Sequence, residues 1–472
     1  MSVVIERRRH FDACVPVVIV GAGACGLVAA LAAREAGAEV LVLERDRAPA
    51  GSTALSSGFI PAAGTRFQRD AGVADSPAQF AADILRKNHG QTDQRMAETL
   101  CATAGPAIEW LADCCGIPFV LLDGFLYPGH SALRMHAVPD KTGRGLVTAL
   151  AAACERAGID ILCEARVTTL HADTGRRVRG VSFARRGGAI EEVGCDALVL
   201  ACSGFGGNPT MVREQIPELA GVDYFGHAGN RGDAIVWGRQ LGAAVADMTG
   251  YQGHGSVATP HGVLVTWALM MEGGIQVNAS GERFSNEHDG YSEQCVRVLA
   301  QPGRFAWNIF DERLHGLGME FPDYRAAAAA GAIKSAPTLE SLASQTGLPG
   351  EGLKATIDRI GQFAAGRARD PFARDFAARP ALRPPYRAVK VTGALFHTQG
   401  GLVVDETARV CDARGAHLPN LFAGGGAARG LSGADVSGYL SGNGLLSAIA
   451  LGWIAGRASA ALAGGARRSP ET

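Results

Sequence analysis

The sequence predicts an α/β fold: a Rossmann-like domain built on a parallel sheet and interrupted by a second, α+β domain. Three observations predict it. A βαβ unit opens the chain, and a second strand-plus-glycine unit follows near residue 200. Strand-like and glycine-rich segments then return after residue 396, beyond a stretch of different character. Glycine itself is enriched, 63 of 472 residues, against roughly 7 % in average proteins. With 21 prolines and no glycine period, that excess excludes collagen-like and disordered chains. Glycine here serves turns and close backbone approach.

Each element follows in order. Val17-Val18-Ile19-Val20 is a short β-branched run, as a buried parallel strand should be. Residues 27–36 form an alanine-rich helix that Gly37 ends. Val40-Leu41-Val42-Leu43-Glu44 is the next strand. The later unit runs from Ala197 to Asn208. Residues 255–385 hold clustered Arg, Asp and Pro and helical patterns such as 353–364. The chain returns to strand at residues 401–405 and closes with 421–426 and a glycine-opened helix, 445–455. The predicted domains are 1–253 and 397–472 for the discontinuous first domain and 254–396 for the cap.

Charge and cysteine exclude several classes. With 45 basic and 46 acidic residues the net charge is −1, so nucleic acid is not expected as a partner. Eleven cysteines without C-x-x-C suit a reduced, cytoplasmic chain, and no histidine spacing suggests a metal. Residues 15–33 carry no charge and follow Arg7-Arg8-Arg9, the pattern of a twin-arginine signal. Cleavage there would remove Gly21, Gly23 and Gly26, so the run is read as strand and helix. Residues 445–456 are too short to span a bilayer, and no stable membrane insertion is expected.

Gly21-Ala22-Gly23-Ala24-Cys25-Gly26 is G-x-G-x-x-G directly after a strand and opening a helix. The first glycine turns the chain, the second admits a pyrophosphate at the helix N-terminus, and the third lets helix and strand pack closely. Glu44 ends the next strand, where a carboxylate accepts from ribose hydroxyls and disfavours a ribose phosphate. Arg45 follows it. Then comes a small-residue loop with Ser52, Thr53, Ser57 and Gly58, suited to a flat ring system and a pyrophosphate.

The segment Ala201-Cys202-Ser203-Gly204-Phe205-Gly206-Gly207-Asn208 and the element Gly229-Asn230-Arg231-Gly232-Asp233 carry a resemblance. Together with the opening motif they are similar to the fumarate reductase / 3-ketosteroid dehydrogenase superfamily of flavoproteins, over about residues 15–458. The resemblance implies a GR2-type flavoprotein fold with non-covalent FAD, since the 52–57 loop lacks the histidine used for covalent attachment. It implies FAD contacts at Gly21, Gly23, Ala24, Gly26, Glu44, Arg45, Ser52, Thr53, Ser57, Gly58, Ser203, Gly204, Gly207, Asn208 and Asp233. Val167 matches a position whose backbone meets adenine. Gly425, Gly442, Gly444 and Leu445 complete the set, with the final helix directing its positive end at the flavin.

The branch is readable from what is missing. Members that convert dicarboxylates use a Glu-x-x-Arg pair before G-[AG]-I-x-V-N; here Trp267 and Met270 precede Gly273-Gly274-Ile275-Gln276-Val277-Asn278. Their arginine after R-F-x-N-E is here Tyr291, and their clamp arginine in H-G-A-N-R is here Val436. A buried dianion without counter-charges is costly. Tyrosine after R-F-x-N-E resembles the base of 3-ketosteroid dehydrogenases. Those enzymes hold the carbonyl oxygen with a tyrosine and a glycine amide, matched here by Gly442 and, one position off, by Tyr439. His254 and His397 match the substrate-facing histidines of fumarate reductases. Tyr127 is a further tyrosine with either a site or a packing role, and Arg134-Met135-His136 resembles an R-x-H stretch with a structural role. The expected activity is desaturation of the carbon–carbon bond beside a neutral carbonyl, with an external electron acceptor. The alternative is an ene-reductase running in reverse with an external donor.

Overall fold

A computed structural model describes residues 1–468, whose backbone divides into two compact units. The first comprises Met1–Asp123, His130–Tyr251 and His397–Thr472. Its nine-stranded sheet is centred on Cys14–Val20 and Ile190–Leu200, which pair in parallel with Leu198 opposite Val18. Val17, Val18 and Ile19 are fully buried, as expected for a β-branched run covered on both faces. On the far side of Cys14–Val20 lies Val40–Leu43, and beyond it Asp160–Leu162.

Ile190–Leu200 explains how the domain is closed by a distant part of the chain. Residues 190–194 pair antiparallel with Val178–Arg185. Residues 198–200 instead pair in parallel with His417–Ala423. The C-terminal return therefore docks beside the opening strands.

The opening helix, Ala24–Glu35, packs along the final one, Asn443–Arg468. A Cβ on Gly452 would stand 2.7 Å from the Cys25 carbonyl oxygen, and one on Gly456 would be closer still to the Ala29 carbonyl oxygen. The two helices thus meet backbone to backbone, glycine against an alanine-rich face. The final helix is longer than the sequence run 445–456 predicts. Residues Asn443–Gly465 are long and apolar enough to cross a membrane by length and composition, and 61 % of the most apolar window is buried within the protein. The uncharged run 15–33 breaks at Gly21 into strand and helix.

The second unit comprises Gln252–Phe396 with Gly124–Gly129. A mixed-length antiparallel sheet runs in the order Val263–Leu264, Tyr251–Ala258, Tyr386–Thr398, Ala306–Asp311, Ile275–Val277, with Ile333–Ala336 also on Tyr386–Thr398. Five helices from Tyr291–Leu299 to Gly350–Ala364 accompany it. An ionic cluster organises one end. Glu287 accepts from Arg283 at 2.9 and 2.7 Å, from Arg374 at 2.9 Å and from the Gln276 amide at 3.1 Å. Arg283 also reaches Asp370 at 2.7 Å. Burial opposes the Glu287 charge, but Arg374 and Arg283 overcome it and hold the carboxyl at about 2. The R-F-x-N-E motif is thus a buried clamp. Arg374 extends it by donating to the carbonyls of Met270 and Gly274.

Candidate active site

In the first unit, Gly21 takes φ +106°, and a Cβ there would stand 2.6 Å from the Ala201 oxygen. Only glycine makes this turn. Glu44 is 5 % exposed; one carboxylate oxygen accepts from the Ala22 amide at 2.7 Å and the other from the Asp46 amide at 2.9 Å. It therefore pins the glycine loop to the strand end as well as presenting remaining lone pairs. The Thr53 hydroxyl accepts from the Ala24 amide at 3.1 Å, so that first-turn amide is held by the 51–58 loop. The backbone of the next strand joins here too, with the Ala165 amide on the Glu44 oxygen, two residues before buried Val167.

The middle motifs interlock. The Gly207 amide bonds the Asn230 oxygen at 2.9 Å and the Gly232 amide bonds the Gly204 oxygen at 3.0 Å. Asn208 caps the helix Pro209–Gln215 through the Met211 amide and donates to the Arg231 oxygen, so both ends of its amide serve the chain. Arg45 donates to the Gly229 oxygen at 2.7 Å. Asp233 opens its helix, and burial pushes its carboxyl up against the pull of Arg45. Ser52 accepts from the His227 amide and from Asn230. Ser203 sits at φ +66°, with Gly204 against Thr398. Gly58 takes φ +73° beside Thr142, following Ser57.

Two glycines test whether a dinucleotide fits. Gly23 caps the opening helix at φ −77°, with no side-chain cap, and a Cβ there would meet only Thr53 Oγ1, at 3.6 Å. A Cβ on Gly444, in the first turn of the final helix, would meet only His397, at 3.9 Å. Neither backbone conformation nor protein neighbours demand glycine at these two positions. Each clears space at a helix N-terminus, which is what a pyrophosphate and a flavin require. The residues fit FAD. Gly425, at φ +55°, adjoins Cys25, and Leu445 donates its amide to Gly442.

Around the final helix a hydrogen-bond chain sets one imidazole. The Gln399 amide nitrogen donates to His397 Nδ1 at 2.8 Å, while its oxygen accepts from the Ser432 hydroxyl at 2.9 Å. His397 Nδ1 is therefore an acceptor and Nε2 carries the proton. Burial pushes this imidazole down to about 4, so it stays neutral at ordinary pH. Asn443 is fully buried and its Oδ1 has no hydrogen-bond partner among the described residues. Gly442 lies at φ +85° against Pro61, and Tyr439 is 6 % exposed.

The second unit holds the other predicted residues. Tyr291 opens the helix Tyr291–Leu299 and stacks on His254, with ring centroids 4.6 Å apart and planes at 16°. Trp267 stands edge-on to His254 at 5.7 Å, and Phe396 lies 5.4 Å away. His254 Nδ1 accepts from the Ser256 amide, so its proton is on Nε2, and burial pushes it down to about 3. A Cβ on Gly253 would come 2.6 Å from Cys295 Cβ, and one on Gly255 2.6 Å from the Gln294 carbonyl carbon. The glycines flanking His254 let its strand lie directly on the helix, and Ser292 bonds both polar groups of Gly253. Trp267 and Met270 are buried at 3 % and 0 % exposure. Tyr127 packs on Phe125 at 4.6 Å. His136 bonds Thr65 and the Arg134 carbonyl, a structural role. Sequence reasoning missed Gln399, two residues after His397, and His130, four before Arg134. Their signal was proximity to motifs, without a spacing of their own.

The chain matches the family model "FAD binding domain" over residues 16–445. It is 30 % identical over 452 residues to an NADH:fumarate oxidoreductase of Klebsiella pneumoniae (strain 342), covering 95 % of this chain but 48 % of that protein. The chain thus spans about half of that relative, and what the remainder does is not carried over. Its fold matches the open conformation of a flavocytochrome c3 fumarate reductase with TM-score 0.80 at 28 % identity, covering 96 % of this chain and 79 % of the other. It also matches the 3-ketosteroid-Δ4-(5α)-dehydrogenase of Rhodococcus jostii RHA1 with TM-score 0.78 at 27 % identity, covering 97 % and 100 %. The chain belongs to the FAD binding domain family and is an FAD-dependent oxidoreductase of the fumarate reductase and ketosteroid dehydrogenase kind, acting on CH–CH groups.

Proposed function

We propose that this oxidoreductase desaturates the carbon–carbon bond beside the carbonyl of a neutral cyclic or steroid-like ketone. The observation that carries the reading is the buried, uncharged surface made by Trp267 and Met270, with Tyr291 close by. Dicarboxylate-converting relatives hold charged side chains at the first two of these positions and an arginine at the third. A dianion buried without them would lack several kcal/mol of compensation. The solved relative from Rhodococcus jostii, a 3-ketosteroid dehydrogenase with 4-androstene-3,17-dione bound, supports the same class.

In this reading the Gly442 amide, with Tyr439 or neutral His397, donates to the carbonyl oxygen and acidifies the adjacent C–H. Tyr291 removes that proton, and His254 supports the tyrosine ring. FAD, when bound, supplies the two-electron acceptor for the hydride leaving the next carbon. Each well-aimed oxyanion donor contributes on the order of 3 kcal/mol to the barrier. Glu44, Thr53, the 204–208 and 229–233 loops and Gly444 hold the cofactor.

The reverse reaction, reduction of an enone or unsaturated acid, is favoured by the identity to the fumarate oxidoreductase. Anaerobic mixing of the oxidised holoprotein with cyclohexanone, a saturated 3-ketosteroid or succinate separates the two. Bleaching of the flavin absorbance by a ketone and not by succinate is expected. Bleaching by succinate alone would overturn the ketone assignment, and turnover of an enone only with an added donor would assign the reverse direction.

A further inference from the structure

One buried imidazole in the first unit is not used by the reading above. His130 is 6 % exposed, and its Nε2 lies 2.9 Å from the Ser441 carbonyl oxygen. Its Nδ1 faces Arg134 Nη1 at 3.3 Å. A guanidinium has no acceptor, so Nδ1 presents its lone pair and the proton is on Nε2, donated to Ser441. The imidazole has little freedom to turn. Arg134 is held by Asp75 through two bonds of 2.9 Å and by Asp83 at 2.6 Å. Asp83 in turn accepts from the Ser131 amide and hydroxyl at 2.8 and 2.7 Å. The Phe80 ring lies 4.5 Å from the Arg134 guanidinium carbon and 5.9 Å from the His130 ring. This is far more machinery than one buried carbonyl needs.

The carbonyl it holds belongs to the peptide whose other end is the Gly442 N–H. A trans peptide is planar, and its C=O and N–H point to opposite sides. Fixing the Ser441 oxygen on His130 therefore fixes the Gly442 N–H on the side away from His130. The Gly442 carbonyl already accepts from Leu445 and Leu446 at 3.0 and 2.9 Å, so it starts the final helix. Its amide makes no hydrogen bond among the described residues. A glycine at φ +85° has few steric barriers of its own against peptide rotation. A hydrogen bond on one end of a peptide also polarises the other end and makes it a stronger donor.

We infer that His130 is a positioning residue for the oxyanion contact: its bond to Ser441 aims and strengthens the Gly442 amide as a donor to a carbonyl or enolate oxygen. The inference rests on the reading that this amide holds the substrate oxygen.

The test uses holoprotein and a series of phenols of rising acidity, 4-methoxyphenol, phenol and 4-nitrophenol, as oxyanion probes. Their dissociation constants are read from the displacement of the visible flavin absorbance, with melting temperature recorded beside them. Wild-type affinity should rise with acidity. In His130→Ala and His130→Asn the rise should flatten, with 4-nitrophenol binding weakened about tenfold. His130→Gln places its amide nitrogen where Nε2 stood and should bind close to wild type. Should the alanine variant fail to keep FAD, the Gln and Asn pair decides, since both fill the space and only Gln reaches Ser441. Equal acidity dependence in wild type, Gln and Asn, with only melting temperature changed, overturns the role of His130. Wild-type affinity that ignores acidity overturns the Gly442 oxyanion reading itself, and this inference with it.

Discussion

Tyr291 and His254 stack nearly parallel, 4.6 Å between centroids, because glycines on either side of His254 bring its strand onto the helix that Tyr291 opens. The stack fixes the phenol ring through a neutral imidazole. Tyr291→Phe keeps that stack and removes only the hydroxyl. Turnover of a ketone should fall by about 10²–10⁴-fold while FAD stays bound. Steady-state rates with flavin content per chain measure both. A phenylalanine variant with near-normal turnover would remove Tyr291 from the chemistry.

Stability should fall across mildly acidic pH. His130 and His254 are held at about 3 and His136 at about 4, all chiefly by burial. In the unfolded chain such imidazoles take up protons near pH 6.5. Between those values the unfolded state binds more protons, so this contribution is complete above about pH 6.5 and shrinks as pH falls toward 4. Glu287, held at about 2, adds a loss only below the ordinary carboxylate range. Urea midpoints should hold from pH 7.5 to about 6.5 and then decline down to pH 4.5. A flat profile over that span would show that these imidazoles are solvated.

Glu287 bridges two guanidiniums, Asp370 supplies the second negative charge, and the side chains of Arg283, Arg374 and Asp370 are at most 5 % exposed. Glu287→Gln leaves two buried guanidiniums with only Asp370 to answer them, one positive charge in excess. Removing one partner of such a cluster costs about 3–5 kcal/mol. The loss should appear in denaturant unfolding of the holoprotein. A loss below about 1 kcal/mol would mean that water reaches the cluster, as for surface pairs.

What could be read from the sequence was whatever has a fixed spacing. Gly21, Gly23 and Gly26 follow a β-branched strand by geometry that repeats in every βαβ nucleotide site, so strand, turn and helix were legible together. The final helix was underestimated because Gly456, Arg457 and Ser459 look like an end. Buried Ser459, Ala460 and Ala463 carry the packing past that point. His130 and Gln399 were invisible for a different reason. Each depends on a partner distant in sequence, the Ser441 carbonyl in one case and the Ser432 hydroxyl in the other, and such pairings have no local period. Glu44 was legible as an acidic strand end, but its grip on the Ala22 and Asp46 amides was not.

The Gln399 amide decides which nitrogen of His397 can donate. Its nitrogen points at Nδ1 because its oxygen is occupied by Ser432, and the proton is thereby left on Nε2. Gln399→Glu keeps the shape and the Ser432 bond but turns the donor into an acceptor. The imidazole then places a proton on Nδ1, toward the carboxylate, and the neutral ring presents a lone pair at Nε2. The carboxylate also raises the imidazole from about 4, so a protonated ring, which donates from both nitrogens, becomes accessible at mildly acidic pH. If neutral His397 donates to the substrate oxygen, kcat/KM should drop by about 10²-fold at pH 8 and recover as pH falls toward 6. The wild type should show no such rise toward acid. The pH profile is the discriminating readout, because a merely loosened loop would lower activity evenly at every pH. An even loss, or none, would separate His397 from the donor role.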